Sequence, residues 1–171
     1  MSLGGPRRAN RWTILPALSG DAPVLAALHT ACFEDPWQAE LIGRVLGTPG
    51  GFGMVARDRD EIVGFALCRS AAGEGEVLTL CVRQASRRHG IGRALVRAAL
   101  DLAKARGLAS LFLEVAENNA AARGLYADAG FEAVGRRSGY YRNASGIAVD
   151  ALTLHCSLVQ GTPRAISDIS Q

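Results

Sequence analysis

One change of hydrophobic period constrains the middle of this chain more than any other feature. Glu76 to Val82 (Glu-Val-Leu-Thr-Leu-Cys-Val) is a near-continuous apolar run of strand length, the pattern of a strand covered on both faces. From Gly90 the period lengthens. Ile91, Leu95, Ala98 and Leu102 fall on one helical face, Arg93, Arg97, Asp101 and Lys104 lie elsewhere, and Gly107 stops the helix. Ala109 to Val115 (Ala-Ser-Leu-Phe-Leu-Glu-Val) is again apolar on both faces, as a central strand under helices should be. The unit from Glu76 to Val115 therefore reads as strand, helix, strand.

The flanking sequence completes a mixed α/β domain. Trp12 to Leu15 predicts a short strand, and Asp21 a cap for a helix from Ala22 to about Phe33 with Pro23 in its first turn. Asp35-Pro36 breaks that helix, and a second runs from Trp37 to Leu46, ended by Gly47-Thr48-Pro49-Gly50-Gly51. Phe52 to Arg57 and Glu61 to Ser70 read as strands joined at Asp58-Arg59-Asp60, with the next turn at Gly73-Glu74-Gly75. With the run from Glu76 they should form an antiparallel meander. Asn118 or Asn119 caps a helix to about Ala129, closed by Gly130, and strands at Phe131 to Tyr141 and Ala148 to Leu158 finish the domain. One domain is expected over residues 12–158, with polar terminal segments at 1–11 and 159–171, the latter reading as a frayed tail.

Composition narrows the function classes. A chain of 171 residues that is 49% apolar and 20% charged is one globular domain rather than a disordered chain. No stretch approaches the roughly 18 uninterrupted apolar residues of a membrane-spanning helix, and the first residues lack an apolar signal core, so a soluble, cytoplasmic protein is expected. Cys32, Cys68, Cys81 and Cys156 are widely spaced among apolar neighbours, which predicts buried free thiols. His29, His89 and His155 show no metal-ligand spacing, so no metal is expected. The net charge is only +3, yet Arg83, Arg87, Arg88, Arg93 and Arg97 crowd together. A mild global charge with one dense cluster, free of interleaved aromatics, predicts a local anion site and no nucleic-acid track.

Three groups of residues carry chemistry. Arg87-Arg88-His89-Gly90-Ile91-Gly92-Arg93 lies between a buried strand and an amphipathic helix. There, glycines admit a ligand close to the backbone, and the helix start favours phosphate. Neither a Gly-x-x-x-x-Gly-Lys-Ser/Thr motif nor a helix-opening Gly-x-Gly-x-x-Gly is present; Gly51-Phe52-Gly53 runs into a strand. Glu114 sits in an apolar strand, either as a general base or as a strand-end carboxylate in contact with an arginine. Asn119 could offer its amide to a ligand, and Tyr126, two helical turns on, is either a proton donor or a core tyrosine.

Arg87-x-x-Gly90-x-Gly92, Leu113-Glu114-Val115, and Asn119 followed by Leu125-Tyr126 and Gly130-Phe131 together resemble the Gcn5-related N-acetyltransferase superfamily, from about Trp12 to Leu158. The resemblance implies an α+β fold with a mostly antiparallel seven-stranded sheet and about four helices. The fourth and fifth strands, parallel to each other, would splay to hold acetyl-coenzyme A. Asp35-Pro36-Trp37, Asn119-Ala120-Ala121-Ala122, Arg137-Ser138-Gly139-Tyr140-Tyr141 and Asp150-Ala151 look most like the RimI-type branch, which acetylates the N-terminal alanine of a small-subunit ribosomal protein. Carried over by position, Glu114 is the general base and Tyr126 the general acid. Leu80, Cys81 and Val82 bind the pantetheine and acetyl carbonyl, while Arg87, Arg88, His89, Gly90, Ile91, Gly92 and Arg93 cradle the pyrophosphate and Asn119 contacts the cofactor. Trp37, Tyr140 and Tyr141 border the acceptor. The implied enzyme is a monomer or homodimer acting on a protein N-terminus, with no metal, nucleic acid or membrane partner. A small-molecule amine acetyltransferase and a non-catalytic acyl-coenzyme A-binding module are the rival readings. Arg83-Gln84, Ala116 and Arg142 stand where the family often has Asp-Pro, arginine and proline. These departures fall toward the expected acceptor side.

Overall fold

The computed structural model describes residues 11–142 and 145–159, so the two segments expected to be polar, and the frayed tail expected over Gln160 to Gln171, lie almost wholly outside the described residues. Strand β1 (Trp12–Pro16) leads through a short turn of 3-10 helix into helix α1 (Ala22–Thr30), followed by α2 (Ala39–Gly47). Strands β2 (Gly51–Asp58), β3 (Glu61–Ala71) and β4 (Glu74–Val82) form the expected antiparallel meander. Helix α3 (Ile91–Ala105) carries the chain over to β5 (Ser110–Ala116), and α4 (Ala120–Asp128) precedes β6 (Glu132–Arg142) and β7 (Ala148–Ser157). Among the described residues the sheet is seven-stranded, in the order β1-β2-β3-β4-β5-β7-β6, and only β4 and β5 pair in parallel.

Several local expectations shift. The Asp21 carboxylate accepts the Leu18 N–H at 2.8 Å and so closes the preceding turn, rather than capping α1. Helix α1 ends at Thr30, and the Cys32 and Phe33 N–H groups both donate to the His29 carbonyl at 3.0 Å in the turn that follows. The β3–β4 hairpin turns at Ala72 and Gly73, both at positive φ, which frees Glu74 and Gly75 to join β4. In α3 the buried face is Ile91, Leu95, Val96, Ala99, Leu100 and Ala103, rotated from the predicted stripe, so Ala98 and Leu102 are only half-buried. The helix lies under a sheet rather than against one partner helix, and the wider face accommodates that.

The core has two main parts, on opposite faces of the sheet. One packs Leu25, Leu28 and Ile42 of α1 and α2 on Val55, Phe65, Leu67 and Cys81. The other packs Val96, Ala99 and Leu100 of α3 and Tyr126 of α4 on Cys68, Val77, Leu111, Leu113 and Val115. Strand β4 serves both because its register with β3 slips. Leu67 faces Thr79 and Cys68 faces Val77, leaving Leu78 as an extra residue that bends the strand.

The thiols divide two and two. Cys68 and Cys156 are free and buried as expected, but Cys32 and Cys81 form a disulfide, which corrects the expectation for that pair. The segment after α1 packs on the far half of β4, and this brings residues 49 apart in sequence to a Cα separation of 6.5 Å.

Candidate active site

Beyond the bulge, β4 and β5 part. Their ladder is limited to Glu74 with Ser110, Gly75 with Leu111 and Glu76 with Phe112, after which Val77–Val82 and Leu113–Ala116 run on without pairing to each other. Backbone groups along these inner edges are left for another partner. Here the sheet opens: one cavity lies along the unpaired end of β4, and a second sits over the paired root of the ladder and reaches Glu114.

On the α3 and α4 side is a cleft of about 900 Å³. Leu80, Cys81 and Val82 of β4 form one wall, and Asn119, Ala120, Ala121, Ala122 and Leu125 of α4 the other. Arg87, Arg88, Gly90, Ile91, Gly92 and Arg93 close one end. Local geometry explains the seat. Arg87 Nε donates to the Val82 carbonyl at 2.9 Å, folding the loop back onto β4. Gly90 then takes φ +82° at the cap of α3, a left-handed conformation that glycine adopts without strain. The N–H groups of the first helical turn have no intrahelical partners, so with the arginines they make an anion-binding end. Asn119 caps α4 by accepting the Ala122 N–H at 3.1 Å, leaving its amide NH₂ for a ligand. Arg93 pairs with Asp128, tying α3 to α4 at the cleft. His89, expected in the pyrophosphate seat, is not among the lining residues; its Nδ1 lies 3.4 Å from the Ser86 carbonyl. Cys32, Phe33, Ser86, Gly124 and Asp128 line the cleft without any motif announcing them, because they arrive by tertiary packing.

Glu114 is on the opposite face. It shares that face with Phe112 and stands opposite Thr153 of β7, bordering a cavity of about 670 Å³ whose other carboxylates are Glu74 and Glu76. Arg69 holds Glu76 at 2.8 Å. Arg137 holds Glu114 at 3.3 Å, so the arginine contact considered from the sequence is present. Glu114 is thus a partly exposed carboxylate near the strand end, paired with an arginine.

Tyr126 lines neither cavity. It is 8% exposed and packs edge-on against Phe131, in the core cluster that holds Val77 of β4 with Leu113 and Val115 of β5. The ring therefore sits under the point where the strands diverge, on the face away from Glu114. Burial, reinforced by Cys68 and Tyr141, pushes its phenol up to about 12.

Trp37, Tyr140 and Tyr141 border neither cavity but flank the Glu114 side. Trp37 stacks near His29, with ring centroids 5.5 Å apart. The Trp37 backbone N–H donates to His29 Nδ1 at 3.2 Å, which leaves Nε2 to donate to the Thr79 hydroxyl at 3.2 Å. This brace between the α1–α2 segment and β4 had no signature in the sequence. Burial holds the His29 pKa below its ordinary value, against an opposing pull from Asp35. Tyr140 and Tyr141 meet edge to face at 5.0 Å, and Arg137 lies over the Tyr140 ring. Burial, then the nearby Glu114 carboxylate, raise the Tyr141 phenol.

Residues 22–131 match the family model described as Acetyltransferase (GNAT) family. Among curated proteins, the N-alpha-acetyltransferase RimI of Mycobacterium tuberculosis is 38% identical over 148 residues, covering 83% of this chain and 90% of the relative. The crystal structure of the ribosomal-protein-S18-alanine N-acetyltransferase from Escherichia coli superposes with a TM-score of 0.82 at 25% identity, over 90% of this chain and 98% of that one. Arabidopsis thaliana NAA60 in complex with acetyl-CoA shares the fold, with a TM-score of 0.75 at 20% identity over 85% and 98% of the two chains.

Proposed function

The chain belongs to the GNAT acetyltransferase family, and from that premise we propose that it transfers the acetyl group of acetyl-coenzyme A to the N-terminal α-amine of a ribosomal protein in the cytoplasm. The observation that carries this reading is the opening between β4 and β5, with an anion-ended cleft on one face and a carboxylate on the other. The cleft suits the co-substrate. Its arginine and helix-start end matches a pyrophosphate, and the unpaired edge of Leu80–Val82 matches the amides of a pantetheine arm. The relatives' names supply the acceptor.

Amide formation needs a neutral amine. An α-amine titrates near 7.7–8.0 and a lysine near 10.4, so at neutral pH roughly one α-amine in ten is ready, against fewer than about one lysine in a thousand. In the proposed sequence the amine nitrogen attacks the thioester carbonyl directly, and Glu114, directly or through one water, takes the proton it sheds. A backbone N–H on the free edge of β4 stabilises the oxyanion as the C–S bond breaks. Tyr126 keeps its proton at neutral pH, and in the proposed sequence its phenol would have to reach the cleft from beneath the diverging strands to donate a hydrogen bond to the departing sulfur. Because a thiol titrates near 8.5, complete transfer from a phenol held at about 12 runs uphill. Solvent therefore settles the last proton.

The test is coenzyme A release with a peptide beginning Ala-Arg, the same peptide blocked at its α-amine, and a panel of polyamines and amino acids. Turnover on the free N-terminus alone is expected. A second reading, acetylation of a small amine, draws on the carboxylates Glu74, Glu76 and Glu114 around the acceptor-face cavity, and turnover on the small amines alone would establish it in place of the first.

A further inference from the structure

The Arg137–Glu114 pair differs from the ion pairs around it. Neighbouring Arg136 is fixed twice over, to Glu117 at 2.7 Å and to Asp150 at 2.7 Å. Arg137 has one longer pair, at 3.3 Å, and its guanidinium lies 4.6 Å from the centre of the Tyr140 ring. Its side chain is 58% exposed while that of Glu114 is 23% exposed, so the arginine is the member of the pair with room to leave into solvent. The backbone is shaped to present it. Between Arg137 and Tyr141 the strand carries extra residues against Asp150, and Gly139 at φ +63° donates its N–H to Asp150 Oδ1 at 2.8 Å. Bulges of this kind re-aim side chains beside active sites.

A cation already resting on Glu114 must be displaced before an acceptor amine can take its place. What then receives the guanidinium distinguishes acceptors. In any peptide the first carbonyl oxygen lies roughly 3 Å from the α-nitrogen, so a guanidinium pushed off the carboxylate by an α-amine needs only a small swing to donate to it. A lysine ε-amine or a polyamine brings no carbonyl to that place.

We propose that Arg137 is a specificity-determining residue, handed from Glu114 to the first carbonyl of an incoming peptide, and that it selects α-amines over ε-amines and simple amines. The inference rests on Glu114 being the group that receives the amine. Removing Arg137 takes away a competitor for every amine but a hydrogen-bond donor for α-amines alone.

The experiment compares the wild type with Arg137→Ala and Arg137→Lys on two acceptors: a peptide with a free α-amine, and an α-blocked peptide carrying one lysine. In Arg137→Ala, kcat/KM for the α-amine should fall about ten-fold, mostly through KM, as a charge-assisted hydrogen bond is lost. For the ε-amine it should rise two- to five-fold, the scale of an exposed ion pair removed. Arg137→Lys should fall between, keeping charge without the planar fork. Opposite signs on two acceptors cannot come from damaged folding, and the KM for acetyl-coenzyme A serves as the control. If both acceptors move together, or neither moves, Arg137 does not select. Glu114→Gln is measured alongside. Should it keep full kcat, the base assignment is what fails; should it lose kcat while Arg137→Ala moves both acceptors alike, only the Arg137 assignment fails.

Discussion

Glu114 and Tyr126 are separated by the sheet itself, one on each face of the opening, and this placement divides their work. In the proposed reaction a base on the Glu114 face would meet the amine before attack, and a donor on the Tyr126 face would meet the sulfur after it. Glu114→Gln should therefore lower kcat by about 10²–10⁴-fold with an unchanged KM for acetyl-coenzyme A, as general-base catalysis commonly contributes that much. Turnover unaltered across the pH range would remove the residue from the mechanism. Tyr126→Phe should reduce kcat by less, since it forfeits a hydrogen bond and leaves the ring packing on Phe131 intact. The phenol is pushed up to about 12, so it keeps its proton at neutral pH, and the pH–rate profile of the wild type should show no limb from it below about pH 10. A limb at lower pH that Tyr126→Phe abolishes would show that acetyl-coenzyme A lowers the phenol's pKa.

At the scale of elements, the site depends on how the α1–α2 segment and β4 are held together. His29 is buried, accepts from Trp37 and donates to Thr79, and its pKa is lowered first by burial. A depressed histidine binds a proton less readily folded than unfolded, so it contributes stability above about pH 6.5 that is lost as pH falls through the depressed value. Urea midpoints measured down a pH series should decline below about 6.5, and His29→Gln should flatten that part of the curve; equal slopes would mean the brace is not titrating. The sequence made the helices and strands legible because each has its own period or cap, as with Asn119 at α4. It hid what depends on two elements meeting. The extra Leu78 that bends β4, the Cys32–Cys81 disulfide and the His29 brace all join residues far apart in the chain. The candidate site was readable where a backbone conformation demanded it, as at Gly90, and unreadable where packing did the selecting, as at Cys32 and Phe33.

The whole molecule is two cores sharing one sheet, joined through strands that pair only at their roots. Helices α1 and α2 build one core and α3 and α4 the other, while the free end of β4 lines a cleft of about 900 Å³. A ligand spanning that cleft would touch β4, the start of α3 and the start of α4 at once, and so would stabilise both cores together. At a hundred times its dissociation constant such a ligand adds about 2.7 kcal/mol to unfolding, which in a domain of this size is a rise in Tm of roughly 5–10 °C. Coenzyme A and acetyl-coenzyme A should both produce it. The acceptor peptide alone should add little, because its expected side of the sheet is bounded by the rigid root of the β4–β5 ladder. Replacing Arg88 by alanine should shift the coenzyme A curve to higher ligand concentration while leaving the ligand-free Tm near its wild-type value, its exposed side chain lying at the rim of the cleft. If coenzyme A left the Tm unchanged at saturating concentration, the cleft would not be its seat, and the opening between the strands would have to serve the acceptor alone.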